Sequence, residues 1–438
     1  MSKSSRTPVD QQTSRRNFLK TTTAAVAGSL AIARGAHAAG DETLKVGLIG
    51  CGGRGTGAAI NALNAGKNNK LVAMSDAFED RLKSSLGRIK KSKPDQVAVD
   101  DDHCFVGFDG YKKLIDSVDV VLLATPPHFR PMQLKAAIDA GKHVFCEKPV
   151  AVDAPGIRSV LATAEEAEKK KLNIVSGLCW RYHPAVTETM QRIVDGEIGD
   201  VLSIQETYLT GTLWHRGRQP DWTEMTFQMR NWYYFTWLSG DFNTEQHVHS
   251  LDKGTWAMGD EPPIAAWGLG GRQVRTDPKF GDIYDHHAVV YEYANGTRMH
   301  SYCRQMGHCW NDVTDNFAGS KGRATVLNKH SIYDLKGKTK WSYRGRGGNM
   351  YDLEHEALFN AIRTGKPINN GRYMAISTML AIIGRMCDYT GQRITWDQAL
   401  NSTEHLAPNE YSFDAEPPVL QGPDGKYPIA TPGVTKLV

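Results

Sequence analysis

The sequence predicts an α/β protein, opening on a doubly wound parallel sheet and continuing into a meander of antiparallel strands. Three observations carry this. An apolar run, Leu44–Ile49, ends in Gly50-x-Gly52-x-x-Gly55 and passes at once into helix-compatible Thr56–Leu63. Short apolar strands then alternate with helical stretches as far as Gly177, the pattern of a parallel sheet with crossover helices. Beyond Asp260, strand-like runs are joined by turn signals, among them Asn295-Gly296, a strong hairpin sequence.

In the first strand–loop–helix, Gly50 permits the tight turn, Gly52 lets backbone N–H groups approach a pyrophosphate, and Gly55 lets helix and strand pack closely. The helix N-terminus adds positive partial charge. Gly53 and Arg54 complete the loop. A second strand, Lys70–Ser75, ends at Asp76, near where an acid that hydrogen-bonds an adenosine ribose is expected. An acid there favours NAD over NADP by charge repulsion, while Ser75 and Arg54 keep NADP open.

A helix from Glu79 to about Lys91 follows, stopped by Pro94. Cys104–Val106 reads as a short strand and Gly110–Ile115 as a short helix. Val118–Ala124 is a buried strand halted by Pro126 and Pro127. A helix from Arg130 to Ala140 leads to the strand His143–Cys146, which runs into Glu147-Lys148-Pro149. The helix 154–170 and the strand Leu172–Gly177 close the pattern. In such sheets the ligand crevice lies outside the carboxyl ends of the strands, where the glycine loop, Asp76, Thr125 and Glu147-Lys148-Pro149 all fall.

Bulk properties narrow the function classes. The chain has 438 residues, enough for two domains, and a formal net charge of +4. Residues 1–38 hold six basic side chains and one acidic one; the remainder balances 46 basic against 47 acidic residues. No electrostatic footprint for nucleic acid or an anionic membrane survives that division. Seven cysteines are dispersed without a CxxC pair, which reads as buried thiols rather than a disulfide framework. Ser14-Arg15-Arg16-Asn17-Phe18-Leu19-Lys20, a mildly apolar stretch Thr21–Ala33 and Ala36-His37-Ala38 follow the order of a cleavable leader. The adjacent arginines followed by Phe-Leu-Lys resemble a twin-arginine export signal, with cleavage expected after Ala38 and a periplasmic or otherwise exported product. The apolar run is too short to span a bilayer, and no other segment reads as a membrane anchor. Export of a folded protein makes a retained cofactor, reduced and reoxidised within one cycle, a serious alternative to an exchangeable one.

The glycine loop, Ala124-Thr125-Pro126-Pro127-His128 and Glu147-Lys148-Pro149, at these spacings, resemble the Gfo/Idh/MocA oxidoreductase family, and the likeness runs from about Leu44 to about Gln392. The resemblance implies an N-terminal Rossmann domain (44–165), a C-terminal substrate and oligomerisation domain (166–400) built on a large, mostly antiparallel sheet, and activity on sugars or cyclitols. It implies that Gly50, Gly52, Gly53, Arg54, Gly55, Asp76, Thr125, Pro126, His128, Glu147 and Lys148 hold the cofactor, with Lys148 also reaching the reacting hydroxyl. Arg181 and Tyr182, in the crossover Cys179–Pro184, are expected near the nicotinamide, against the substrate. Family members are often homo-oligomers.

A helix from Ala185 to about Val194 and a strand from Val201 to Thr212 begin the second domain. Trp214, Trp222, Trp232, Tyr233, Tyr234, Phe235 and Trp237 then crowd together; each is either core or a platform for a sugar face. From Phe242 to about Gly259 the sequence reads as one helix. On it Glu245, His249 and Asp252 at i, i+4 and i+7 share a face. A carboxylate one turn before a histidine can orient the imidazole and raise its basicity, and a histidine suits removal of a hydroxyl proton. The family pattern is Asp-x-x-x-His-x-x-Asp, with Glu245 in place of the first Asp; the role of Glu245, ligand or catalyst, stays open. His247 and His249 point apart on a helix, as do His286 and His287 on a strand, so no metal is expected. Strands are read at Ile264–Leu269, Tyr284–Ala294, Thr297–Arg304 and Ala324–Leu327, and helices at Tyr351–Ile362 and from Tyr373 to about Thr390. Residues 401–438 form an irregular tail, a strap or a partner-contacting arm.

The leading expectation is an NAD(P)-dependent oxidoreductase acting on a secondary hydroxyl of a sugar or cyclitol. His249 takes the proton, Lys148 polarises the oxygen, and Glu245 orients His249 or binds substrate. One alternative keeps the machinery but closes the redox cycle on a retained cofactor, as an NAD-dependent glycosidase or a sugar–sugar oxidoreductase. The other is a non-catalytic cofactor- or sugar-binding module.

Overall fold

A computed structural model describes residues 42–438. The twin-arginine leader and its cleavage site lie outside the described residues. The first sheet has six parallel strands: β1 (Leu44–Ile49), β2 (Asn69–Asp76), β3 (Cys104–Val106), β4 (Val120–Leu123), β5 (His143–Cys146) and β6 (Ile174–Ser176), in the order β3-β2-β1-β4-β5-β6. The order reverses between β1 and β4, so loops leaving these strands diverge and open a crevice at their carboxyl ends. Helices α1 (Gly53–Asn64), α2 (Glu79–Ser92), α3 (Gly110–Asp116), α4 (Arg130–Asp139) and α5 (Ala154–Lys169) connect the strands, and α6 (Pro184–Val194) leads out of the sheet. Val120–Leu123 is buried throughout, as a strand covered on both faces requires.

The second sheet has nine strands: β7 (Val201–Thr210), β8 (Ala265–Gly271), β9 (His286–Glu292), β10 (Arg298–Gln305), β11 (Asp312–Gly319), β12 (Gly322–Val326), β13 (Ser331–Asp334), β14 (Thr339–Ser342) and β15 (Ile394–Thr395). Pairing is antiparallel except between β7 and β10, which run parallel at the centre, so the sheet is mixed rather than a simple meander. The Asn295-Gly296 turn joins β9 to β10 as expected, with Arg298 opposite Glu292. Strands β11, β13, β14 and β15 are additional to those read from the sequence.

Between β7 and β8 the aromatic-rich stretch folds into α7 (Glu224–Arg230) and α8 (Thr236–Ser239), followed by α9 (Phe242–Glu245) and α10 (Val248–Ala257). The single helix expected over 242–259 is therefore two. The chain breaks at Gln246-His247 because side chains there bond away from the helix: Gln246 Oε1 accepts from Gln305 Nε2 at 2.5 Å, and His247 Nε2 lies 2.6 Å from Ser301 Oγ. Helices α11 (Met350–Thr364) and α12 (Gly371–Thr390) follow β14, and α13 (Trp396–Leu400) follows β15. From Ser402 the tail has no helix or strand; it packs as a strap, with Tyr411 and Phe413 against Phe108 at ring separations of 6.1 and 4.9 Å. All seven thiols are free. Among the described residues no helix is long and apolar enough to cross a membrane.

Candidate active site

A cleft of about 420 Å³ lies at the carboxyl ends of β1, β2 and β4, lined by Gly50, Gly52, Gly53, Asp76, Thr125 and Pro126 among others. Gly50 has φ +95°, and a Cβ there would meet Thr125 N at 2.5 Å. A Cβ on Gly55 would come within 1.8 Å of Gly50 O, so α1 starts against the loop only because this residue has no side chain. By contrast, a Cβ on Gly52 has no neighbour nearer than Arg81 Nη1 at 3.9 Å, and one on Gly53 has none within 4 Å. That cradle of bare backbone at a helix N-terminus, beside an acid on β2, fits a dinucleotide with its pyrophosphate on the loop. Asp76 accepts from Cys51 N at 2.6 Å and Phe78 N at 2.8 Å; burial raises its pKa against these bonds.

Arg54 lines the cleft, but its guanidinium pairs with Glu147 at 2.7 Å and lies over the Tyr351 ring at 4.6 Å. Glu147 is buried and does not line the cleft; it braces the glycine loop through Arg54. Thr125 Oγ1 donates to Gln133 Oε1 at 2.7 Å. His128, expected to touch the cofactor, is instead packed edge-on against Trp237 with Nε2 2.8 Å from the Tyr411 hydroxyl, and burial lowers its pKa to about 4.

One sheet position further, at the end of β5, Lys148 leaves the Rossmann half and meets α9. Its Nζ donates to the Glu245 carbonyl at 2.5 Å and to Glu245 Oε1 at 3.0 Å. Glu245 thus holds Lys148, and no hydrogen bond links it to His249; the helix break between them explains why the predicted orienting contact is not made. His249 Nδ1 is enclosed and has no hydrogen-bond partner among the described residues. Burial, then the charges of Lys148 and Lys253, hold His249 well below the usual histidine pKa. Lys253 also donates to the His249 carbonyl at 2.6 Å and pairs with buried Asp315 at 3.1 Å, fixing the first turn of α10. Read across the sheet from β2 to β5, the order is ribose acid, glycine loop, Thr125, then the Lys148–Glu245–His249 cluster. This is the order of adenosine, pyrophosphate and nicotinamide in an extended dinucleotide.

Arg181 and Tyr182 are not at this cluster. Arg181 is clamped by Asp252 at 2.9 Å and Asp260 at 2.5 Å and stacks on Tyr373 at 3.9 Å. Tyr182 donates to Asn370 Oδ1 at 2.9 Å. A charged side chain driven into the interior takes the carboxylates it finds there, and Asp252, the third residue of the predicted helix face, is one of them. Of the aromatic run, Tyr233, Tyr234, Phe235 and Trp237 are core, whereas Trp214 and Trp232 line the cleft. Arg81 and Arg216 also line it and were not singled out from the sequence. Arg81, a few residues beyond the ribose acid on α2, carries a local signal; Arg216 is brought in from the second sheet and carries none.

Residues 44–174 match the sequence model of an oxidoreductase family with an NAD-binding Rossmann fold. The chain is 28% identical over 338 residues to the inositol 2-dehydrogenase of Salmonella typhimurium (strain LT2), covering 74% of this chain and 88% of that one. With the inositol 2-dehydrogenase of Rhizobium meliloti (strain 1021) it shares 24% identity over 297 residues, 66% of this chain and 77% of the other. Among solved structures, the aldose–aldose oxidoreductase from Caulobacter crescentus complexed with glycerol has a TM-score of 0.61 at 18% identity, covering 81% of this chain and 100% of that one.

Proposed function

From the premise that this chain is an NAD-dependent oxidoreductase of the Gfo/Idh/MocA family, we propose that it is a dehydrogenase acting on a secondary hydroxyl of a sugar or cyclitol. The observation that carries the reading is the convergence of Lys148 and His249, from separate halves of the fold, beyond the end of β5. The bound nicotinamide supplies the hydride acceptor, or the donor in reverse. Gly50, Gly52, Gly53 and Gly55 would hold its phosphates, Asp76 would meet the adenosine ribose, and Thr125 and Pro126 would line the floor. Lys148 Nζ, held by Glu245, donates a hydrogen bond to the reacting oxygen and favours its loss of a proton. His249, neutral because burial and Lys148 keep its pKa low, takes that proton on its imidazole. The similarity to inositol 2-dehydrogenases supports a polyol as the substrate class.

The test is a panel of cyclitols and aldoses, followed by nicotinamide absorbance, with wild type and His249→Ala. One polyol is expected to be oxidised, and His249→Ala to lose roughly 10²–10⁴-fold in kcat/KM while still binding NADH. Wild-type-like turnover by the variant would sink the assignment. The twin-arginine resemblance supports export to the periplasm, testable by fractionation of cells carrying Arg15→Lys and Arg16→Lys together. Outward Leu202, Trp267, Leu269 and Tyr302 on the nine-stranded sheet support a homo-oligomer.

A further inference from the structure

The nucleotide cleft is not built by the Rossmann half alone. Residues 211–223, between β7 and α7, cross its mouth, and Trp214, Arg216 and Trp232 line it together with Asp76 and Arg81. The crossing is pinned. Buried Asn231 brackets Arg216, accepting from its backbone N–H at 2.8 Å and donating to its carbonyl at 3.1 Å. Arg230 makes a two-point pair with Asp80 on α2, 2.8 Å for each bond, and lies over the Phe78 ring at 3.9 Å. A segment of the second domain is thereby fixed against the helix that follows the ribose acid.

Three arginines line this cleft, and Arg81 and Arg216 differ from Arg54, which is paired with Glu147. Arg230 has its carboxylate, but neither Arg81 nor Arg216 has a side-chain hydrogen bond or ion-pair partner among the described residues. Arg216 is exposed, its nearest ring Trp214 at 5.4 Å from the guanidinium carbon. Arg81 is half-buried; burial, then the like charge of Arg216, pull its pKa below the ordinary arginine value. Arg81 Nη1 stands 3.9 Å from where a Cβ on Gly52 would lie, beside the phosphate cradle. Asp76, on the same cleft, and Asp80 act on Arg81 in the opposite sense, but neither pairs with it, and two like-charged guanidinium groups lining one cleft without a carboxylate partner are arranged for an anionic ligand. Their planar forks match phosphate oxygens.

We propose that Arg216, with Arg81, binds a phosphate of the dinucleotide, so that residues 211–223 act as a clasp from the second domain over the bound cofactor. This rests on the cofactor reading above and adds to it a ligand from outside the Rossmann domain. The phosphate is either the pyrophosphate, common to both nicotinamide dinucleotides, or the adenosine 2′-phosphate of NADPH.

The experiment is stopped-flow release of NADH and of NADPH from wild type and Arg216→Ala, with circular dichroism to show that the exposed substitution leaves the fold intact. Release from Arg216→Ala is expected to be roughly tenfold faster or more, the loss of one charge-assisted contact. Equal acceleration for both ligands assigns the pyrophosphate; a larger effect on NADPH assigns the 2′-phosphate; either supports the clasp. Unchanged release, from a wild-type protein that does bind these ligands, overturns it. A wild-type protein that binds neither overturns the cofactor reading, and the clasp with it.

Discussion

Lys148 acts on two neighbours with one charge. Its ammonium is anchored by the backbone and carboxylate of Glu245, and the same charge is the second cause, after burial, that depresses His249. A histidine depressed in this way is neutral at neutral pH and protonates only well below its ordinary value. The acid limb of kcat/KM for alcohol oxidation, which marks protonation of the base, therefore lies below pH 6.5 in the wild type. Lys148→Met removes the charge and leaves the burial. Its residual activity is expected to fall roughly 10²-fold or more, and its acid limb to move to higher pH as His249 becomes easier to protonate. A pH–rate profile of the variant checks this; an acid limb that stays put would separate His249 from Lys148. The residues themselves were legible, since Glu147-Lys148-Pro149 ends a strand and His249 lies four residues after Glu245. Their wiring was not, because the bond that matters joins Lys148 to Glu245 across 97 residues.

Two short helices stand where one was expected, and the difference decides which contacts α10 makes. Periodicity reports the face a continuous helix would show, and over 242–259 it put Glu245, His249 and Asp252 together. Tertiary hydrogen bonds to Gln246 and His247 outweighed the local pattern, so Glu245 turns to Lys148 while Asp252 turns to Arg181. A strand such as β4 was readable because a run buried on both faces is apolar throughout, and β1 departs from that only at Lys45, whereas β13 and β14 are four residues each with exposed or polar members. Arg181 shows the cost of reading a crossover residue by its place in the chain. Its partners, Asp252 and Asp260, are 71 and 79 residues away. Arg181→Leu would leave Asp252, 1% exposed, with an uncompensated charge. We expect a loss of about 3–5 kcal/mol in urea unfolding, with the polyol KM near wild type wherever the variant is folded. A large rise in KM without destabilisation would return Arg181 to the substrate.

The same logic, a charge sealed between elements distant in sequence, ties the nine-stranded sheet to the helices that carry the site. His287 on β9 is buried between Asp388 on α12, with Nδ1 at 2.8 Å, and Asp241 just before α9, with Nε2 at 3.3 Å. Tyr389 donates to the same Asp241 oxygen at 2.6 Å, and the Tyr284 N–H does so at 3.0 Å. Burial works to lower the His287 pKa, but the two carboxylates overcome it and raise it to about 9. For Asp241 burial works upward, and His287 with its hydrogen bonds holds it below the usual value. The unit is an imidazolium between aspartates, and its sign fixes how the whole molecule responds to pH. A histidine whose folded pKa exceeds its unfolded value binds more protons folded than unfolded in the window between them. Its contribution is therefore complete below about pH 6.5 and is lost as pH rises through about 9. The shift corresponds to roughly 3 kcal/mol across that window. His287→Gln removes the titrating group while keeping a hydrogen-bonding side chain, so the variant is expected to be less stable than wild type at pH 6.5, with the gap narrowing toward pH 9. Urea midpoints of both proteins across that range measure the difference directly, and other alkaline titrations cancel because both share them. A gap constant with pH would mean that His287 is neutral in the folded protein, and that α9 and α12 are held to the sheet by packing and neutral hydrogen bonds rather than by a buried charge.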